Sequence, residues 1–236
     1  MLAAMSQDIF PKNRWVPQHP DRLQLYSMAT PNGKKVGIAL EVMEVPYEGH
    51  FINIMEGDQR DPEFIKINPN SKIPAIIDPN GPGGEPVSMM ESGAILLYLA
   101  NKTGKLIPAD ERGKLEVTEW LMMQVGSIGP MFGQFGHFHK FARGKTADDY
   151  ARERYTNEAR RLLGVLDSRL NGRDFLVGGD MTIADVATFP WVMSFDFYEG
   201  KDAVDYESHK HVVSWVERCL AQPRVRDGMN VPARPA

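Results

Sequence analysis

The chain first shows a clear periodicity at Leu23, where Leu23, Leu25 and Ser27 alternate with Gln24 and Tyr26, a two-residue period that predicts a strand. Thr30-Pro31-Asn32-Gly33 then gives a turn signal leading into a helix with Val36, Ile38, Ala39, Leu40 and Met43 on its apolar side. Val45 to Ile54 reads as a second strand. Asp61-Pro62-Glu63 opens a short helix that buries Phe64, Ile65 and Ile67. Beyond the turn Asn68-Pro69-Asn70-Ser71, a third strand runs from Ile73 to Asp78, interrupted by Pro74. A proline- and glycine-rich loop separates it from a short strand at Val87 to Met90. Glu91 to Thr103 is helical and Gly104 stops it. The order β-α-β-α-β-β-α predicts a small mixed sheet covered by helices.

Strand patterns end at the linker Gly104-Lys105-Leu106-Ile107-Pro108-Ala109-Asp110, and residues 111–129, 147–171, 182–197 and 209–221 follow helical patterns. The expected organisation is an N-terminal extension over 1–20, a mixed α/β domain over 21–104 and an all-helical domain over 111–225. The extension, with Trp15, Pro17, His19 and Pro20 and little periodicity, reads as an extended arm that is disordered or packed on a neighbour.

The 236 residues are enough to bury a core, and 42% apolar with 25% charged residues is ordinary for a globular protein. A net charge of −4 gives no electrostatic support for binding nucleic acid or a membrane surface. The longest apolar run, Ala94 to Ala100, falls far short of the roughly 20 residues of a membrane span. Met1 to Phe10 lacks the basic and apolar regions of a secretion signal. Cys219 is the only cysteine, so no internal disulfide can form; this fits a reducing compartment and a cytoplasmic location.

Three short segments carry candidate chemistry. In Lys72-Ile73-Pro74-Ala75, a proline inside a strand marks an edge or bulge. It is either a plain edge proline or a cis bond that turns the Ile73 backbone outward to pair with a bound peptide. Glu91-Ser92-Gly93 opens a helix. Ser92 is either a simple cap or part of an anion site, where free N–H groups and the helix dipole hold a carboxylate while Glu91 takes an adjacent ammonium. Carboxylate and ammonium together make the head of a γ-glutamyl unit. Thr30-Pro31-Asn32 sits at another helix start, as a cap or as a donor that would lower the pKa of a thiol beside it.

In combination these segments, on that frame, resemble the glutathione transferase family. Leu25-Tyr26-Ser27, Thr30-Pro31-Asn32-Gly33, Asn68 to Ala75 and Glu91 to Leu99 look like its Nu class, bacterial enzymes similar to the fungal nitrogen-regulator prion protein. The resemblance runs from about residue 22 to 225. It implies a thioredoxin-like N-terminal domain followed by a helical-bundle domain. It implies Thr30 and Asn32 facing the glutathione sulfur, with Ser27 as a further candidate. Gln59 would contact glutathione, Lys72 would approach its glycine carboxylate end, Ile73 would give backbone bonds to the cysteinyl unit, and Glu91 and Ser92 would grip the γ-glutamyl unit. Arg154 matches an arginine of the helical domain, although its spacing also suits a surface pair with Glu158. Thr182-Ile183-Ala184-Asp185 reads as a capping box, with Met181 and Val186 stapled across it. His137-x-His139 lacks further evident metal ligands; Phe135, Phe138 and Phe141 suggest an aromatic wall or core packing. Without a Cys-x-x-Cys pair, reduction of a disulfide needs an outside thiol. The implied reaction is therefore glutathione-dependent disulfide reduction with two glutathiones and no metal, with organic hydroperoxides as further substrates. Conventional conjugation and a non-catalytic glutathione-binding role stand as alternatives. A homodimer is implied as well.

Overall fold

The computed structural model describes residues 9–145 and 148–234. The chain divides into two compact units: the first runs to Thr103 and takes up the chain again from Pro223, and the second is Gly104–Gln222.

In the first unit, β1 (Leu23–Ser27), α1 (Pro31–Met43), β2 (Tyr47–Phe51), α2 (Pro62–Ile67), β3 (Ala75–Asp78), β4 (Val87–Met90) and α3 (Ser92–Thr103) follow the predicted order. The sheet order is β2-β1-β3-β4. β1 and β2 are parallel, while β1–β3 and β3–β4 are antiparallel. Every residue of β1 and β3 is buried, so the alternation read in β1 does not separate an inner from an outer face. Gln24 tolerates this because its amide N–H groups reach the His19 and Arg22 carbonyls, while its oxygen lies 2.7 Å from His50 Nε2. Two strands are shorter than predicted. Val45 N–H is spent on Leu40 O at the end of α1, and Ile73-Pro74, a cis peptide, lies outside the ladder.

Residues 9–20 are an integral part of this unit rather than an arm free to reach a neighbour. Trp15 is buried, packs edge-on to Phe64 and donates its indole N–H to Phe51 O. Lys12 N–H, Asn13 and Arg14 engage Glu63, Asp61 and Asp58 in turn. Gln18 and His19 N–H groups both bond Glu48. The chain end returns to the same unit: α10 (Val225–Gly228) packs on α1. A Cβ at Gly37 would fall 2.4 Å from Gly228 O, and one at Gly228 would fall 2.4 Å from Ile38 Cα. Only glycine permits so close a backbone approach.

The second unit contains α4 (Glu111–Met123), α5 (Gly129–Gly136), α6 (Tyr150–Leu170), α7 (Ile183–Val192), α8 (Ser194–Phe197) and α9 (Lys210–Ala221). π-helical turns at Gln124–Ile128 and His137–Phe141 carry the α4 and α5 path past the predicted end at 129. The helix expected over 147–171 begins at Tyr150; residue 147 itself lies outside the described residues. The capping box forms as read: the Thr182 side chain caps α7 and Asp185 reaches back to Thr182 N–H. Asp185 is fully buried and accepts from Leu176 N, Thr182 N, Thr182 Oγ1 and Trp215 Nε1 at 2.8–3.0 Å. One carboxylate thus ties the loop before α7, α7 itself and α9 together. No helix among the described residues is long and apolar enough to cross a membrane.

Candidate functional site

The register of the sheet decides where the three chemical segments meet. Tyr26 pairs with both His50 and Ala75, and Ala75 pairs with Met90, so one row crosses all four strands. Immediately past this row, at the same end of the sheet, come Ser27 to Thr30, Ile73-Pro74 and Glu91-Ser92. β2 also exits at that end, toward the turn that carries Gln59. Residues far apart in sequence are therefore assembled by the strand directions alone. Both α1 and α3 start there, so two helix N-termini bring the positive ends of their dipoles to that end of the sheet.

At the first of these termini Thr30 caps α1, its Oγ1 accepting from Gly33 N–H at 3.3 Å. Pro31 takes the first helical position. The cap uses an oxygen lone pair, which leaves the hydroxyl proton available to donate. Gly33 is obligatory, because a Cβ there would lie 1.9 Å from Met28 O. Thr30 and Asn32 are both half-buried. Ser27 is fully buried, with its hydroxyl 3.4 Å from Met28 O, whereas Thr30 keeps access to solvent.

Asn68 is the scaffold of the second segment. It is buried, its amide donates to Lys72 O at 2.6 Å, and its oxygen accepts from Asn70 N–H at 2.9 Å. This fixes the turn that presents exposed Lys72 and the Ile73 backbone. The Ile73 side chain packs against the cluster of Trp15, Tyr26, Phe64 and Ile77, while its backbone makes no hydrogen bond among the described residues. A backbone held by its own side chain and left unpaired suits strand addition by a peptide. Gln59 sits on a 3-10 turn, Asp58–Arg60. Its Nε2 reaches Ile54 O at 3.5 Å, and its Oε1 is buried without a donor among the described residues. Such an acceptor favours a ligand N–H.

Glu91 closes the third segment with a left-handed backbone, φ 67°, which is uncommon for a residue other than glycine and costs on the order of 1–3 kcal/mol. The turn leaves the Glu91 side chain exposed beside the first turn of α3, while Ser92 is buried. Below them lies a residue that the sequence patterns did not single out. Lys35 is 1% exposed, and its Nζ stands 3.3 Å from Ser92 Oγ. Burial pushes its pKa down to about 7, with the Glu91 carboxylate drawing it back up. One signal was present: Lys35 lies three and four residues before Ile38 and Ala39, on the apolar side of α1.

Arg154 belongs to the second unit. There it lines a groove of about 550 Å³ with Met131, Tyr150, Tyr155 and Glu158. The pairing considered with Glu158 is replaced: Arg161 grips Glu158 with two bonds of 2.8 Å, and Arg154 has no ion pair among the described residues. The aromatic residues divide. Phe135 is core and stacks on His139, whose Nε2 lies 3.2 Å from Glu199 O, and Phe138 stacks on Tyr155. Phe141 is exposed beside Phe197. Cys219 is buried and its thiol is pushed well above the ordinary range by that burial.

Family models for the N-terminal and C-terminal domains of glutathione S-transferase match residues 21–101 and 120–223. The chain is 42% identical over 202 residues to the disulfide-bond oxidoreductase YfcG of Escherichia coli, covering 85% of this chain and 91% of the relative. A Burkholderia graminis glutathione transferase, crystallised with two glutathione molecules per subunit, is 49% identical with a TM-score of 0.93, covering 100% and 97% of the two chains. A Pseudomonas putida glutathione transferase, crystallised with one glutathione disulfide per subunit, is 46% identical with a TM-score of 0.92, covering 98% and 99%.

Proposed function

Since this chain belongs to the glutathione S-transferase family, we propose that it is a glutathione-dependent disulfide-bond oxidoreductase that uses two glutathiones and no thiol of its own. The observation that carries this reading is the convergence of two helix N-termini, an unpaired strand-like backbone and a carboxylate at one end of the sheet, on a chain whose single cysteine is sealed in the second unit. Relatives with two glutathiones or one glutathione disulfide in the subunit support it.

The first glutathione lies with its γ-glutamyl carboxylate on the α3 N-terminus and Ser92, its ammonium on Glu91, and its cysteinyl unit paired to Ile73. Gln59 and Lys72 flank the peptide. The thiol then faces Thr30 and Asn32. Donors and a positive helix end favour the thiolate, and each pKa unit of lowering corresponds to ~1.4 kcal/mol. An amide is not a useful base, so Asn32 stabilises the sulfur anion and water takes the proton. The thiolate attacks one sulfur of a disulfide, expelling the other as a thiolate and leaving a mixed disulfide with glutathione. A second glutathione thiolate attacks the glutathione sulfur of that mixed disulfide. Glutathione disulfide and a second substrate thiol leave, so two electrons pass from two glutathiones to one disulfide. An organic hydroperoxide can take the same two electrons to give an alcohol and water. Arg154 is assigned to an anionic group of the second glutathione or of the substrate.

A homodimer accompanies this reading, and exposed Met55, Leu115 and Met122 are side chains that an interface would cover. The decisive assay is reduction of a small dialkyl disulfide by glutathione, coupled to glutathione reductase. Turnover is expected; a rate equal to the uncatalysed background would refute the reductase reading.

A further inference from the structure

We propose that Lys35 is a positioning residue of the γ-glutamyl subsite, acting through Ser92 and lying beneath the carboxylate that Ser92 receives. The proposal rests on the glutathione reading above. A lysine inside a helix–helix contact is an expensive choice, since an apolar side chain would fill the space between α1 and α3 without desolvating an amine. What the amine gains is local. It donates to Ser92 Oγ at 3.3 Å, so the serine oxygen is occupied as an acceptor and its proton is left to point toward a ligand. Lys35, bonded to Ser92, and Glu91, its neighbour in the chain, also bring an amine and a carboxylate to the one serine. A zwitterionic amino-acid head presents the complementary pair: its carboxylate belongs over Lys35 and Ser92, and its ammonium over Glu91. The arrangement selects an α-amino acid head over a plain carboxylate or a plain amine. It also explains why the buried amine sits under this helix start and not elsewhere on α1.

The test compares two thiol-blocked probes by calorimetry: S-methylglutathione, and the same peptide with 4-aminobutyrate in place of the γ-glutamyl unit, which keeps the amine and lacks only the α-carboxylate. Lys35→Met is expected to weaken S-methylglutathione tenfold or more and to change binding of the truncated probe by less than twofold. Lys35→Arg is expected to restore affinity to within threefold. With glutathione saturating, kcat of Lys35→Met should stay within threefold, so the loss falls on KM. Ser92→Ala and Glu91→Gln give the reference. If they weaken S-methylglutathione while Lys35→Met does not, the role of Lys35 is overturned and the site stands. If all three bind like the wild type, the glutathione placement falls and this proposal with it. Should Lys35→Met fail to fold, wild-type binding measured at pH 7.5 in two buffers of different ionisation enthalpy decides the matter. Uptake of a fraction of a proton supports the proposal, and zero uptake overturns it.

Discussion

At the residue scale the proposed function assigns the chemistry to Thr30 and Asn32, because the single cysteine of the chain is buried in the second unit. Asn32→Ala is expected to lower kcat/KM for disulfide reduction about 10–100-fold, the equivalent of one or two pKa units of thiolate stabilisation. Affinity for S-methylglutathione should stay within threefold, and the ultraviolet thiolate absorbance of bound glutathione should titrate at higher pH. Equal losses of binding and turnover would place Asn32 in peptide recognition instead. Lys35 gives a second dependence. Burial lowers its pKa to about 7, and on the proposed placement a ligand carboxylate would raise it in the complex. Below pH 7 the amine is already charged and binding needs no proton. As pH rises above 7, each binding event must take one up, and affinity for S-methylglutathione falls, by at most about tenfold per pH unit. Lys35→Met should flatten that profile. The places of Glu91, Ser92 and Thr30 at helix starts were legible from residue type, whereas the burial of Lys35 had only its position beside Ile38 and Ala39 to signal it. A single lysine on the apolar side of a helix ordinarily reaches past it to solvent, and packing against α3 is what buries this one.

Asp185 makes the clearest prediction at the element scale. Its burial pushes the carboxyl pKa up, while four donors pull it down. Asp185→Ala leaves those donors without an acceptor, at ~1–3 kcal/mol for each buried group left unsatisfied. A loss of ~3 kcal/mol or more is expected, read as a fall of roughly 6–12 °C in the unfolding temperature. Thr182→Ala, which removes the cap and one of the four bonds to Asp185, should cost ~1–2 kcal/mol. This box was readable because its spacing is local. The strands and helices of the first unit were readable for the same reason, through the two-residue period of β1, the proline-led start of α2 and the glycine after α3. The segment 129–141 was not. Gly129, Gly133, Gly136 and Pro130 imitate a loop, yet Pro130 lies in the first turn of α5 and these glycines admit Trp191 and Tyr198. A Cβ at Gly136 would lie 2.3 Å from the Tyr198 ring. Close approach between helices is a tertiary fact, invisible to a local pattern. Gly136→Ala is therefore expected to destabilise the second unit despite alanine's better helix propensity, and chemical denaturation checks the sign.

For the molecule as a whole, the two ends of the chain matter more than their composition suggested. Trp15 fills the core beside Phe64, and Trp15→Ala should cost ~3–5 kcal/mol by analogy with other buried aromatics. Its removal should also loosen the turn holding Gln59, because Arg14 on the same segment grips Asp58. Hydrogen exchange over residues 53–61 would report this as faster exchange, and unchanged protection there would show the arm to be decorative. The later segment makes the first unit discontinuous. α10 lies on α1 through the Gly37–Gly228 contact, although the whole of Gly104–Gln222 separates them along the chain. In sequence the second unit is thus an insertion within the first, and a proteolytic nick inside it divides the first unit into two fragments held only by packing. The helix whose start carries Thr30 and Asn32 would then depend on a clasp no longer tethered to it.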